Sequence, residues 1–249
     1  MIDLRIEQWH AWAPGLEIPE AWRDWAQQPY RPATDGDAQP DCAFLPAMQR
    51  RRLSRLARMT LHVAWPLCAD GEQLPFVFGS RHGETTRTFA LLGDVAAGQP
   101  LSPTQFGLSV HNAIAGQWSI LRGQRGESTA IAGEADTFEH AMLEAAGLLT
   151  DATPTALVVV AEERPPAAYD TWIDDVPFSY AVALRVGRAI PGDRAPGRTD
   201  WRLQLTAGDG SRVAGDWPNA LDFLRSLLGP HTPLDHPWKK RRWIWQPLP

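Results

Sequence analysis

The segment from Ser102 to Leu149 constrains the fold most, because its pattern predicts a helix, a strand and a second helix in close succession. Ser102 and Gln105 are typical of a helix start, since the serine can cap the helix and the glutamine can complete a capping box. Gly107 weakens the early part of this helix, so we expect its regular part to begin a few residues later. The segment therefore predicts an α/β unit.

The strand of this unit is predicted over Ser128–Ala132, before a short turn. Asp136 is a good N-cap for the next helix, and Glu139 three residues on can act as its reciprocal partner. The apolar run Thr155–Ala161 that follows is typical of a strand buried on both faces. Strands that alternate with helices in this way indicate a layered α/β fold with a largely parallel sheet.

The rest of the chain adds further strands and helices to this plan. We predict strands over Ile2–Trp9, Leu74–Gly79, Phe178–Val186, Trp201–Thr206 and Trp243–Gln246. We predict helices over Glu20–Gln27, Leu45–Trp65, Thr85–Ala97 and Asn219–Leu228. Many of the 12 tryptophans lie near the two ends of the chain, so we expect both ends to pack on the core.

Composition excludes several classes of function. The net charge of −5 argues against nucleic acid as a partner, because phosphate binding needs a concentrated basic surface. No apolar run approaches the roughly 20 residues that span a bilayer, and the N-terminal segment is charged where a signal peptide is apolar. The two cysteines form no metal or disulfide pattern. We expect a cytoplasmic protein with no metal and no cofactor.

Two local clusters of basic residues occur in this chain despite its negative net charge. The first is an arginine stripe on a predicted helix, consisting of Arg50, Arg51, Arg52, Arg55 and Arg58. Most such stripes are solvated faces, but this one could also dock an acidic partner. The second combines Lys239, Lys240, Arg241 and Arg242 with Trp238, Trp243 and Trp245. Aromatic and basic residues together also occur in single-strand nucleic-acid sites, but the acidic chain favours a packing or partner-binding tail.

The region from about residue 50 to residue 186 resembles the N-terminal half of the β-ketoacyl synthases, which is one half of the thiolase fold. The resemblance rests on four segments in order: MQRRRLSRLARMTLHVAWPL, FVFGSRHGETTRTFALL, SPTQFGLSVHNAIAGQWSI and TALVVVAEE. The combination of SRHGE, SPTQF and SVHNA is similar to chain length factors of aryl polyene and xanthomonadin-type pigment pathways. The resemblance implies a thiolase-like half-fold, with a mostly parallel five-stranded sheet and helices on its faces.

The chain departs from the catalytic members of this family at two points. Glu134 stands where those enzymes carry the nucleophilic cysteine. After residue 186 only 63 residues remain, too few for the half that supplies the catalytic histidines, and His231 and His236 lie in what reads as a proline-rich loop. Without a nucleophile or an oxyanion apparatus, independent condensation is not expected. We assign residues 1–190 to the synthase-like domain and residues 191–249 to a C-terminal extension that packs on or wraps it, with 190–199 as the candidate linker.

The resemblance implies a non-catalytic subunit that forms a heterodimer with a full-length ketosynthase and shapes its acyl tunnel or stabilises it. In family pairing, the nucleophile strand and the preceding helix face the partner across a pseudo-twofold axis. The expected tunnel or interface residues are His111, Asn112, Ile114, Ala115, Trp118, Glu134 and Phe138. An acyl carrier protein is a second possible partner, because it is acidic and the arginine stripe would suit it.

Several site assignments stay open at this point. Glu134 could line a cavity or be a polar turn residue, and a buried carboxylate there would need Arg81 or His111 as a partner. The polar turn Ser80, Arg81, His82, Gly83 and Glu84 could form a pocket, or Arg81 and Glu84 could only pair locally.

Two enzymatic readings are weighed against the non-catalytic one. Ser109 and His111 do not form a serine-hydrolase elbow, because the closing glycine is missing. A residual enzyme, such as a malonyl-carrier-protein decarboxylase using Glu134 or His111, is the alternative function. It would need a preformed oxyanion site. A chaperone for the ketosynthase, without tunnel contact, is the third possibility.

Overall fold

The computed structural model describes residues 1–32, 36–190, 192, 197–210 and 215–249. Half of the candidate linker at 190–199, namely residues 191 and 193–196, lies outside these ranges. None of the described helices is both long and apolar enough to cross a bilayer.

The described residues form eight strands and eight α-helices. The strands are β1 (Ile2–Trp12), β2 (Phe76–Gly79), β3 (Ser128–Ile131), β4 (Thr155–Glu162), β5 (Tyr180–Arg188), β6 (Thr199–Ala207), β7 (Leu234–Trp238) and β8 (Arg241–Pro247). The helices are α1 (Pro19–Gln27), α2 (Ala47–Arg50), α3 (Arg55–Ala64), α4 (Thr85–Ala96), α5 (Pro103–Gly107), α6 (Ala113–Arg122), α7 (Thr137–Leu148) and α8 (Asn219–Leu228).

The eight strands form one mixed sheet in the order β3-β2-β4-β5-β1-β6-β8-β7. Only β2 pairs in parallel, with β3 and β4, and all other pairs are antiparallel. The α/β class is confirmed, but the predicted five-stranded, mostly parallel sheet is wrong. Parallel neighbours need long crossover connections, and helices α4 to α7 supply these only between β2, β3 and β4.

The C-terminal strands continue the sheet of the remaining chain. β1 pairs with β5 on one side and with β6 on the other, and β6 leads on to β8 and β7. Trp243 and Trp245 of β8 are buried, as are Trp22 and Trp25 of α1, so the expected packing of both end segments is confirmed. The division of the chain at residue 190 stays a prediction.

Two local predictions need correction. The single helix predicted over Leu45–Trp65 is broken into α2 and α3, because Ser54 caps α3 by accepting a hydrogen bond from the Ala57 N–H at 3.0 Å. The segment around His236 forms β7 instead of a loop. Its Pro237 is tolerated because β7 is an edge strand that pairs only with β8.

The core lies on both faces of the sheet. One face packs against α7, α8 and α1, with the even-numbered valines of β4, Val158 and Val160, pointing into it. The other face packs against α3 and α6, with Leu157 and Val159 of the same strand. The unbroken apolar run of β4 is therefore explained by burial of the strand on both faces, as the sequence predicted.

Candidate functional site: the turn after strand β3

Glu134 lies in the short 3₁₀ turn between β3 and α7, with its backbone in the left-handed region at φ 59°. Its carboxylate accepts hydrogen bonds from the Lys239 ammonium and, at 2.8 Å, from the Trp238 indole N–H. These two bonds, with the charge of Arg241, lower the pKa of Glu134 to about 2. The side chain is 45% exposed, so Glu134 is an ionised surface group. The prediction of Arg81 or His111 as its partner is wrong.

Asp136, two residues on, is fully buried and lies beneath the same hairpin. Its carboxylate accepts two hydrogen bonds from the Arg241 guanidinium, at 2.5 and 3.0 Å, and one from the Trp243 indole N–H at 2.8 Å. Asp136 stands at the N-cap position of α7, as predicted, but its side chain caps no backbone N–H of this helix. The β7–β8 hairpin thus holds this turn through both acidic residues.

The polar turn at residues 80–84 lies at the carboxyl end of β2, as predicted, and encloses a carboxylate that the sequence did not single out. Glu162, at the carboxyl end of the neighbouring β4, accepts hydrogen bonds from the Ser80 hydroxyl at 3.0 Å, the His82 N–H at 3.3 Å and the Arg81 N–H. Burial raises the pKa of Glu162 to about 7. The sequence signal that could have identified Glu162 was its position at the end of an apolar strand.

The remaining residues of this turn find partners elsewhere. Arg81 pairs with Asp175 at 2.7 Å, and His82 contacts the other oxygen of Asp175 at 2.9 Å. Glu84 accepts from the Ser54 hydroxyl at 2.5 Å and pairs with Arg87 at 3.4 Å. The local Arg81–Glu84 pair, which was the alternative reading, does not form.

The residues predicted to face a tunnel or partner are mostly inside the chain itself. Ile114, Ala115 and Trp118 are buried between α6 and the sheet, and Phe138 is buried in the core on the opposite face. His111 is half-buried, with its Nε2 2.7 Å from the Ser80 carbonyl, and Asn112 is exposed. Four of the seven predicted side chains thus have no free surface for a partner, and partner contact of His111, Asn112 and Glu134 stays a prediction.

The arginine stripe divides into anchored and exposed members. Arg55 donates to the Ala38 carbonyl and the Ser179 hydroxyl, and Arg58 donates to the Pro40 and Arg50 carbonyls. Arg50 is half-buried and donates to the Asp41 carbonyl. Arg51 and Arg52 are exposed and, with Arg55 and Arg87, line an open groove of about 580 Å³.

Three of the four cations in the second basic cluster pair within the chain, and Lys240 is exposed. Lys239 pairs with Glu134, Arg241 with Asp136, and Arg242 with Asp235. Trp243 and Trp245 are core residues, so no aromatic platform for bases is formed by them. Across the described ranges, no three side chains of the types that bind metals are gathered into a possible metal site.

Comparison with solved structures gives close overall similarity. A chain of the ketosynthase (ApeO) in complex with its chain length factor (ApeC) from Xenorhabdus doucetiae is 26% identical, with a TM-score of 0.84 over 99% of this chain and 100% of that chain. A chain of the ishigamide ketosynthase/chain length factor is 16% identical, with a TM-score of 0.63 over 83% and 68% of the two chains.

A β-ketoacyl synthase from Burkholderia phymatum STM815 is 14% identical, with a TM-score of 0.61 over 85% of this chain and 66% of that chain. At such identities the last two likenesses show a shared fold alone. No curated protein sequence matches this chain. The model of the N-terminal domain of β-ketoacyl synthases matches residues 22–246, so this protein belongs to that family and has its thiolase-like fold.

Proposed function

We propose that this protein is a non-catalytic, chain length factor-like subunit that pairs with a ketosynthase in polyketide biosynthesis, of the aryl polyene type, in the cytoplasm. The similarity to a chain from a complex of a ketosynthase with its chain length factor supports this role, because it extends over both full lengths. The observation that carries the proposal is an apolar surface that the described residues of this chain leave uncovered.

The apolar surface is formed by α4, α5 and the residues that flank α5. Helix α4 has only one buried residue, Leu91, although half of its residues are apolar. The exposed apolar side chains of this surface are Phe89, Leu92, Val95, Leu101, Phe106 and Val110, each 40% exposed or more. Large contiguous apolar patches are rare on monomers and mark sites of association. A partner protein would bury this one.

The sheet offers a second open feature beside this surface. β3 is an edge strand with β2 as its one neighbour, so its outer N–H and C=O groups are unpaired within the sheet. Helix α6 packs beside β3 and leaves Ile120 82% exposed. An open edge strand and an apolar helix residue next to it fit the family pairing, in which this strand and the helix before it face the partner.

The chemistry at position 134 favours a non-catalytic role over a decarboxylase. A carboxylate cannot carry an acyl chain as a thioester does, and Glu134, with its pKa lowered to about 2, holds no proton to donate near neutral pH. Glu134 also lies in an acidic neighbourhood, with Glu162, Asp175 and Asp216 lining the same cavity. That charge disfavours malonyl groups, so no observation supports the alternative enzyme.

The structure changes which residues would line an acyl tunnel at the subunit boundary. Enlarging Ile114 or Ala115 would overpack this chain's own core, so a shorter product after such a change would not report on a tunnel. The exposed rings of Phe89 and Phe106 are better placed, because they lie on the apolar surface. The exposed Arg51 and Arg52 are the members of the arginine stripe best suited to dock an acidic carrier protein.

Coexpression with a full-length ketosynthase from the same genome tests the pairing. A tagged chain should copurify with the ketosynthase and elute as a heterodimer in size-exclusion chromatography with light scattering. Leu92→Glu should weaken the pair at least about 100-fold, because burying an unpaired carboxylate costs several kcal/mol. Ile18→Glu is the matched control, since Ile18 is 57% exposed, as Leu92 is at 53%, but lies at the start of α1.

Absence of a complex, or equal pairing by both variants, would contradict the proposal. A complex without any effect on product length, after substitution of Phe89 and Phe106 by smaller residues, would leave a stabilising role and remove the tunnel role. Incubation of the pure chain with malonyl-carrier protein tests the enzymatic alternative. Release of carbon dioxide that is lost in Glu134→Gln would favour a decarboxylase over our proposal.

A further inference from the structure

A cavity of about 280 Å³ lies at the carboxyl end of β4, between the Glu134 turn and the start of α8. Its inner wall includes Glu162 of β4 and Tyr180 of β5, which are register partners on adjacent strands. Phe138 of α7 and the half-buried Trp217 supply aromatic sides. Concave sites of this kind, with aromatic walls and a few convergent polar groups, are typical of small-molecule sites.

The cavity is acidic. Two arginines, Arg31 and Arg81, face five carboxylates: Glu134, Glu162, Asp174, Asp175 and Asp216. Lys239 neutralises Glu134, and Arg81 neutralises Asp175. Within the described part of the chain, Asp174 and Asp216 form no ion pair, and both are exposed at the rim of the cavity. The lining therefore attracts cations and repels anions.

Tyr180 gives an independent indication that the cavity takes a ligand. The side chain is only 3% exposed, yet its hydroxyl has no hydrogen-bond partner among the residues that the structure describes. Burial, with the nearby charges of Glu162 and Asp175, raises the pKa of Tyr180, so it remains a neutral hydroxyl close to these carboxylates. This hydroxyl is accessible from the cavity, where a ligand N–H can supply its hydrogen bond.

We propose that this cavity binds a small aliphatic amine. Its ammonium group would donate to the Tyr180 hydroxyl and the Glu162 carboxylate, and its chain would lie between Phe138 and Trp217. A second ammonium group on the same ligand would lie at the rim of the cavity and pair with Asp174 or Asp216. This site goes beyond the pairing with a ketosynthase and does not depend on it.

Isothermal titration calorimetry of the full-length chain with 1,4-diaminobutane tests the proposal. We expect saturable binding of one diamine per chain, still measurable at about 0.15 M salt, where exposed charges are largely screened beyond about 8 Å. The matched neutral probe 1,4-butanediol and the anionic probe malonate should not bind. The first probe has the same length without charge, and the second has the opposite charge.

Two variants locate the site. Tyr180→Phe should weaken diamine binding several-fold, up to about tenfold, by removing one hydrogen bond. Asp216→Asn should weaken it by a similar factor, whereas Asp24→Asn, at an exposed carboxylate on α1, should bind as the unaltered chain does. Circular dichroism establishes that the variants fold. Because Asp216 is exposed, its variant keeps the test valid even where Tyr180→Phe is unstable.

Three results would overturn the proposal. They are absence of saturable diamine binding, binding of butanediol as tight as that of the diamine, and unchanged binding by both Tyr180→Phe and Asp216→Asn. The last result would show that the diamine binds only to the acidic surface in general. None of the three bears on the formation of a heterodimer, so the two proposals fail separately.

Discussion

Replacement of Asp136 by alanine tests whether the C-terminal hairpin is held by the turn after β3. Asp136 is fully buried and receives three hydrogen bonds, two from Arg241 and one from Trp243. Asp235 offers a matched control on the same hairpin. It pairs with Arg242, but both side chains of that pair are about half exposed.

The magnitude follows from what each substitution leaves behind. Asp136→Ala leaves the Trp243 N–H buried without a partner, which costs about 1–3 kcal/mol. Arg241 loses its main partner but is 35% exposed and stays 3.5 Å from Glu134, so we add only about 1 kcal/mol. The free energy of unfolding should therefore fall by about 2–4 kcal/mol. An exposed pair such as Asp235–Arg242 contributes at most about 1 kcal/mol.

Urea denaturation followed by tryptophan fluorescence measures both effects. With a slope of about 3 kcal/mol per M, the midpoint should fall by about 1 M for Asp136→Ala and by no more than about 0.3 M for Asp235→Ala. Equal midpoints for the two variants would refute the reasoning, because they would show that burial of the Asp136 pair adds nothing. A changed slope would instead indicate an altered unfolded or native state.

Two further predictions concern groups that the fold buries. Burial opposes a charge on His236, but its bonds to Asp222 and Glu139 raise its pKa to about 9. Its contribution to the free energy of unfolding should thus be complete below pH 6.5 and lost as the pH rises to about 9, and His236→Gln should flatten this part of a plot of urea midpoint against pH. An unchanged plot would contradict the assignment. Ala115→Leu should lower the free energy of unfolding by about 1–3 kcal/mol, because the larger side chain would overpack the core around this position. Gln117→Leu on the same helix is the control and should have little effect. Equal urea midpoints for the two variants would show that the core adapts to the larger side chain.

Local patterns predicted the elements of this fold better than their arrangement. Helix α8 occupies the predicted range Asn219–Leu228, and the strand predicted from Thr155 differs by one residue. The direction of the strands was not predictable in the same way, since it depends on pairs that are distant in sequence. Ile2 pairs with Leu203, for example, and no period in either segment specifies that partner.

The candidate site shows the same division between local and distant information. The polar turn after β2 was predicted from its place at the end of a buried strand, but the carboxylate that it encloses, Glu162, lies 82 residues from Ser80. Asp136 has the local pattern of an N-cap, yet its carboxylate accepts hydrogen bonds from distant residues. The donors are the Arg241 guanidinium and the Trp243 indole N–H, which lie 105 and 107 residues away in the sequence. Three bonds, two of them from a guanidinium, outweigh one bond to a backbone N–H.

The C-terminal hairpin explains how two carboxylates can stand close together in the turn after β3. Glu134 and Asp136 place two negative charges within three residues, and burial of Asp136 without a cation would cost several kcal/mol. Lys239 and Arg241 supply the two cations from one hairpin. Both Glu134 and Lys239 hold a left-handed backbone that ordinarily costs about 1–3 kcal/mol, and their mutual bond helps to offset it. An acidic turn and a basic hairpin are thus two parts of one contact, which makes Glu134 an anchor of the C-terminal strands and argues against a direct contact with an acyl chain.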